Sequence, residues 1–318
     1  MIIKIDDVLQ NVKSVGIAGH VRPDGDCVGS CMSVYNYIAD NYPEIDLHVY
    51  LETIPSIFMF LKNTDKIEEA TDEVKAFDLF ICLDCRELQR LGKAGEYFKA
   101  SNKTLCIDHH LGNNSFADVE YIIPDDSSTS ELVFRTMDED KITKEIAECL
   151  YLGIVHDTGI FQYSCTTSET MNVAGKLMDK GIDYSFIVDY TYNQKSFAQQ
   201  QIMAKALLKA KLYVNDRVIV SYITKEEMDE VGVLPRHLEG IVQQLRNTKD
   251  TEVAVFLYQT DDTGYKVSTR ATGDVDLASF ARHFGGGGHA KAAGFSMHEN
   301  PESAICKIVS ELEKVMNS

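Results

Sequence analysis

The chain has 318 residues, 44% hydrophobic and 25% charged, which suits a soluble globular protein with room for two cores and excludes a disordered one. Its 49 acidic against 31 basic residues leave a formal charge of −18. A broad basic face for long or duplex nucleic acid is therefore not expected, whereas a short phosphorylated substrate gripped by a few local cations is.

The first half alternates short apolar runs with helical spacing. Ser14–Gly19, Leu47–Leu51, Asp78–Asp84, Thr104–Asp108 and Tyr121–Pro124 read as strands, and Val28–Ala39, Ser127–Asp138, Lys144–Val155 and Thr170–Lys180 as helices. Continuous apolar strands separated by helices predict an α/β fold whose N-terminal domain has a parallel sheet covered on both faces. A polar helical stretch near Gln194–Lys211 follows as a connector. Beyond it, Arg217–Ile223 and Glu252–Gln259 read as strands, Thr260–Gly264 as a turn and Lys266–Arg270 as the hairpin partner. Helices are expected around Leu238–Arg246, Asp276–His283 and Pro301–Met316. The expected division is 1–186 for the first domain, 187–211 for the connector and 212–318 for a smaller α/β domain, with the active site in the cleft between the domains.

No apolar run reaches the roughly 20 residues of a membrane span, so no membrane partner is expected. The opening MIIKIDDVLQ carries acids where a secretion signal would be basic. Of the eight cysteines, Cys27, Cys31, Cys82, Cys85 and Cys106 lie in or beside apolar patterns, as free thiols do, and a reducing cytoplasm is the expected setting. Cys82-Leu-Asp-Cys85 has the spacing of half a zinc site, but no second pair completes it.

Acids and imidazoles gather at the carboxyl ends of the predicted strands, where parallel sheets bind ligands. After the first strand come His20, Asp24 and Asp26, the third ends in Asp84, and the fourth in Asp108, His109 and His110. Asp157 stands at the exit of a helix. One Asp at such a place is usually a helix cap. So many at one edge would repel unless cations held them ionised, and their number suits two divalent ions about 3.5–4 Å apart. Mixed imidazole and carboxylate donors favour Mn(II), with Mg(II) or Co(II) as alternatives.

The stretches HVRPDGDCVGS, LDCRE, IDHH and GIVHDTG, in this order, resemble the four motifs of the DHH phosphoesterase family. Phe284-Gly-Gly-Gly-Gly-His289 with Ala292-Ala-Gly294 is similar to the family's associated substrate domain. The resemblance implies that His20, Asp24 and Asp157 hold one metal, Asp26 and His109 the other, and that Asp84 bridges them. His110 would face the phosphate or the leaving group, with Asp108 buttressing a histidine, so that His110, Asp84 and Asp108 form the catalytic set. It departs from the family at Cys27, where Ala is usual; that side chain is expected to pack inward. The implied chemistry is two-metal activation of a bridging hydroxide for attack on phosphorus.

For substrate binding, Arg22 is either a phosphate contact or a solvated turn residue. Arg270 is a candidate phosphate clamp, and Gly285, Gly286, Gly287, Gly288 and His289 a candidate phosphate cradle; Arg236 and Lys291 are weaker candidates. The two-domain arrangement resembles the bacterial oligoribonuclease branch of the family. This implies hydrolysis of oligoribonucleotides of two to five nucleotides, linear dinucleotides included, dephosphorylation of 3′-phosphoadenosine 5′-phosphate to AMP, and a homodimer through the first domain. A RecJ-like single-strand exonuclease and a non-catalytic nucleotide-binding regulator are the alternatives.

Overall fold

The computed structural model describes residues 2–113, 116–124, 126–260 and 264–317. The chain divides into two compact units, Met1–Gln194 and Lys195–Ser318.

The first unit is built on β1 (Ser14–Ala18), helix α1 (Gly25–Asn41), β2 (Asp46–Tyr50), β3 (Ile67–Glu68), β4 (Leu79–Leu83), helix α2 (Ala94–Ala100), β5 (Thr104–Asp108) and β6 (Val119–Ile122). Helices α3 (Thr129–Thr136), α4 (Lys144–Asp157) and α5 (Ser168–Asp179) follow, and short helical turns at Ile5–Val8 and Tyr184–Val188 lie near its two ends. The strands pair in parallel in the order β3-β2-β1-β4-β5-β6. This is the doubly wound order, whose direction of growth reverses between β1 and β4.

Alternation along each strand feeds two cores. Val15, Ile17, Leu79, Ile81, Leu83, Leu105 and Ile107 pack on the face covered by α1, α3 and α4, while Ala18, Phe80, Cys82 and Cys106 pack on the other with Tyr97 and Phe98 of α2. Both faces are covered, which is why the strands read as unbroken apolar runs. The two-residue strand β3 was beyond the sequence patterns, since a pair of residues shows no period.

Helix α1 begins three residues earlier than its apolar spacing indicates. Asp24 is its N-cap, its Oδ1 accepting the Cys27 N–H at 3.1 Å. Asp26 is therefore a residue of the first helical turn, not of a loop. Cys27 packs inward as expected, with no exposed surface.

In the second unit, helix α6 (Phe197–Lys209) leads into β7 (Lys211–Tyr213), β8 (Val218–Ile223), helix α7 (Ile241–Arg246), β9 (Val253–Gln259), β10 (Tyr265–Ala271), helix α8 (Leu277–Arg282), β11 (Gly287–His289), β12 (Ala292–Met297) and helix α9 (Pro301–Asn317). The sheet order is β11-β12-β10-β9-β8-β7, with β8 and β9 parallel and the other pairs antiparallel. The stretch expected as a connector is thus divided. Ile202 and Ala206 of α6 are buried with Ile219, Ile223 and Phe256, so this helix packs as part of the second unit. Residues 261–263 of the expected Thr260–Gly264 turn lie outside the described residues. Among the described residues, no helix is long and apolar enough to cross a membrane.

Candidate metal centre

The two αL residues at the strand ends set up the site. Asp84, directly after β4, has φ 54°, and Arg22, in the loop after β1, has φ 57°. Left-handed backbone is uncommon for non-glycine residues and recurs at functional positions. Between these turns, at the reversal of the sheet, His20 and Asp84 meet, with His20 Nε2 3.5 Å from Asp84 Oδ2. His20 Nε2 also lies 3.6 Å from Asp24 Oδ2, so Asp24 caps α1 with one oxygen and faces His20 with the other.

A second group adjoins the first. His109 Nε2 is 3.1 Å from Asp157 Oδ2, 3.8 Å from Asp84 Oδ1 and 4.0 Å from Asp26 Oδ2. Asp84 also lies 3.5 Å from His110 Nδ1, making it the carboxylate common to both sides. This corrects one implied assignment: Asp157 stands with Asp26 and His109, not with His20 and Asp24. The reason lies in the packing of α4, whose last residue is carried to the His109 side of the cluster.

The imidazoles are oriented by backbone. His20 Nδ1 donates to the Val21 carbonyl and His109 Nδ1 to the Asp126 carbonyl, each at 2.9 Å. A carbonyl only accepts, so Nδ1 carries the proton and Nε2 is turned toward the carboxylates, the arrangement common to metal-ligating histidines. Donor chemistry and orientation therefore fit divalent cations.

Electrostatics point the same way. Burial would lower the His20 pKa, but Asp24 and Asp84 outweigh it and push it up to about 11. Burial opposes and Asp157, Asp26 and Asp84 raise that of His109, also to about 11. Against the desolvation by its surroundings, His20 holds the exposed Asp24 carboxylate at about 2. Asp26, wholly buried near Asp84 and Asp157, is pushed well above the carboxylate range, and burial also raises Asp157. Without metal, imidazolium protons supply the positive charge that the carboxylates require.

Around the cluster stand residues that sequence reasoning missed. The Thr129 and Ser130 N–H groups, opening α3, donate to Asp26 Oδ2 and Oδ1 at 2.7 and 2.9 Å. The Thr129 hydroxyl donates to Asp84 Oδ1 at 3.0 Å. Asp126, whose carbonyl holds His109, is clamped by both Arg135 Nη atoms at 2.6 and 3.1 Å, and Arg135 also pairs with buried Glu131. The only available sign was the run Ser127–Ser130 ahead of an apolar pattern, which marks a helix start but not its target.

His110 Nδ1 donates to Asp108 Oδ1 at 2.8 Å, and fully buried Asp108 accepts a further bond from Asn113 Nδ2 at 2.6 Å. Burial would raise the Asp108 pKa, but these bonds bring it below its usual value; against burial, Asp108 and Asp84 raise that of His110. His156, beside Asp157 in sequence, turns away to the Thr191 hydroxyl at 2.9 Å. Cys27 adjoins His20 and Asp84, and in the metal-free fold burial pushes its thiol well above the usual range.

In the second unit the glycine run is divided between a turn and a strand. Gly287, Gly288 and His289 form β11, paired with β12. A Cβ on Gly286 would lie 2.2 Å from the Gly294 carbonyl oxygen, and one on Gly288 2.5 Å from that of Ala292. These two glycines serve close packing of strands, whereas Gly285, with φ 75°, and Gly287 face open space. Ala292 pairs with both His289 and Arg270, which puts His289 and Arg270 on one face, two strands and about 10 Å apart. Arg22 is exposed in the first unit.

A doubly wound sheet carrying carboxylates and imidazoles in two adjoining groups offers the donor sets of a metal-dependent hydrolase. Residues 14–154 match the DHH family, N-terminal domain, and residues 215–318 match the DHHA1 domain. The chain belongs to the DHH family and is a phosphoesterase. It is 28% identical over 301 residues to the bifunctional oligoribonuclease and PAP phosphatase NrnA of Bacillus subtilis, covering 92% of each chain. It is 27% identical over 303 residues to the protein of the same name from Thermus thermophilus, covering 92% of this chain and 87% of that one. An exopolyphosphatase-related protein from Bacteroides fragilis matches with a TM-score of 0.89 at 26% identity, over 98% of this chain and 96% of the other. RecJ of Thermus thermophilus, in complex with Mn2+, shares the fold, with a TM-score of 0.53 at 12% identity over 97% of this chain and 53% of RecJ.

Proposed function

We propose that this phosphoesterase hydrolyses short oligoribonucleotides, of two to five nucleotides, and removes the 3′-phosphate of 3′-phosphoadenosine 5′-phosphate. The observation that carries the phosphoester chemistry is the pair of donor groups meeting at Asp84. The substrate class is supported by likeness to the two NrnA proteins over nearly the whole of both chains.

His20, Asp24 and Asp84 would hold one divalent ion, and Asp26, His109, Asp157 and Asp84 the other, with Mn(II) best suited to the mixed donors. When bound, such a pair supplies positive charge to the phosphate oxygens and activates the attacking water. The chain's own groups do the remaining work. Asp108 fixes His110 through Nδ1, leaving Nε2 to meet the phosphate or protonate the leaving oxygen. In the second unit, Arg270 and His289 flank the small side chain of Ala292, a face suited to a phosphate and its nucleotide.

The test is one assay with Mn(II) presenting a ribodinucleotide, 3′-phosphoadenosine 5′-phosphate, long single-stranded DNA and pyrophosphate in parallel. Turnover of the first two is expected. Cleavage of the long DNA alone would replace this reading with a RecJ-like exonuclease, which the charge of −18 disfavours.

A further inference from the structure

Beyond the carboxyl ends of β1, β2 and β3 the first unit contains a cavity of about 640 Å³, with His20 in its wall. Its size is that of ordinary small-molecule sites. Leu51, Leu91, Pro23 and Pro55 give it apolar surface, and Arg22, Lys93, Glu52 and Glu69 give it charge. It therefore adjoins the metal centre through the His20–Arg22 loop but offers different chemistry.

Glu52 stands two residues beyond the end of β2, and its Oε2 accepts the Arg22 N–H at 2.7 Å. Among the described residues, no hydrogen bond or ion pair reaches its other oxygen. A carboxylate anchored on one side and lining a cavity on the other is a ready acceptor for a ligand's hydroxyls. Its anchor is two residues from His20, so the part of a substrate it meets is the part next to the phosphate. In a nucleotide that part is the ribose. In sheets of this strand order, an acid at the end of the second strand commonly takes this role. Of the two cations that line the cavity, Lys93 pairs with Asp72, while the Arg22 guanidinium, for which no partner occurs among the described residues, is left for the phosphate.

We propose that this cavity seats one nucleoside of the substrate, with Glu52 accepting a hydrogen bond from its ribose, so that the enzyme selects ribonucleotides over deoxyribonucleotides. The inference rests on the reading of the chain as a short-oligonucleotide hydrolase. The 2′-hydroxyl is the group that distinguishes the two sugars, and a site built to bind it leaves its own acceptor unpaired when it is missing.

The experiment uses the full chain with Mn(II). Values of kcat/KM are measured on the 5′-phosphorylated diadenylate and its 2′-deoxy counterpart, for the wild type, Glu52→Ala and Glu52→Gln. A hydrogen bond to a charged group corresponds to roughly tenfold to hundredfold discrimination. The ribo-to-deoxy ratio is expected to fall by that factor in Glu52→Ala and by less in Glu52→Gln, which keeps an acceptor. An unchanged ratio overturns the proposal, whatever the absolute rates. Thr53→Trp, at an exposed position on the cavity wall, should weaken AMP binding in calorimetry by about tenfold or more; unaltered affinity likewise overturns it. If the wild type cleaves neither dinucleotide, the proposed function fails. The ratio of AMP to dAMP affinity, in wild type and Glu52→Ala, then tests the cavity alone.

Discussion

The carboxylate of Asp26 accepts the N–H of Thr129 at 2.7 Å, joining the first turn of α1 to the first turn of α3 across about a hundred residues of sequence. With the Ser130 bond it takes up two of the N–H groups that a helix start leaves unpaired. One buried acid thus shapes the metal centre and fastens two helices. Asp26→Asn presents an amide NH2 to one of these backbone donors. The metal-free variant should unfold at lower denaturant concentration, by about 1–3 kcal/mol, with weaker Mn(II) binding. Wild-type stability would show that the bonds do not hold α3.

Asp84 stands between the two donor groups, within 4 Å of His20, His109 and His110. Asp84→Ala should lower turnover by more than ~100-fold and reduce the Mn(II) retained after dialysis. Near-normal turnover with full metal content would remove it from the bridging role.

Proton release is a third consequence. The pKa values of His20 and His109 lie near 11 in the metal-free fold, against about 6.5 in the unfolded chain. Their contribution to metal-free stability is complete below about pH 6.5 and is lost as pH rises toward 11, because the folded state holds the extra protons in that window. The raised Asp26 and Asp157 act with the same sign above the ordinary carboxylate range. The Tm in chelator should therefore fall between about pH 6.5 and 9. Binding of Mn(II) should release protons and tighten with pH, measurable by calorimetry in buffers of different ionisation enthalpy. A metal-free Tm that climbs over the same range contradicts this account.

Asp108→Asn keeps the size of the side chain but puts an amide against His110 Nδ1. The ring is then free to change tautomer or rotate, and kcat should drop by ~10–100-fold with bound metal unchanged. Parallel loss of metal would mean that Asp108 supports the ligands rather than His110.

Gly153 lies in α4 where a Cβ would come 2.0 Å from Ser130 Oγ and 2.6 Å from Asp26 Oδ1. Gly→Ala inside a helix ordinarily gains up to about 1 kcal/mol. Here overpacking should reverse the sign, costing about 1–3 kcal/mol, and Mn(II) affinity should drop as Asp26 shifts. A Gly153→Ala protein more stable than wild type would show that Ser130 moves aside freely.

Much of this was legible before any coordinates. Apolar runs located the five longer strands of the first sheet, and the acids at their carboxyl ends are among those that the structure gathers into the candidate centre. What stayed hidden depends on contacts between distant segments. Nothing in Thr129 or Ser130 indicates that their N–H groups meet Asp26. The side of the cluster reached by Asp157 depends on how α4 packs, which spacing does not encode. Loops and tight strand pairings both call for glycine, so the close approach of Gly286 and Gly288 to β12 could not be read from the glycine run itself.

The candidate donors run from His20 to Asp157 across the reversal of the sheet, and the last of them ends α4. During synthesis, then, tight capture of a metal pair has to wait until α4 has emerged and docked. An N-terminal fragment ending before that helix keeps His20, Asp24 and Asp84 but lacks Asp157, so it should retain less Mn(II) than the whole unit, which makes full metal loading a natural reporter of when the first unit has finished folding.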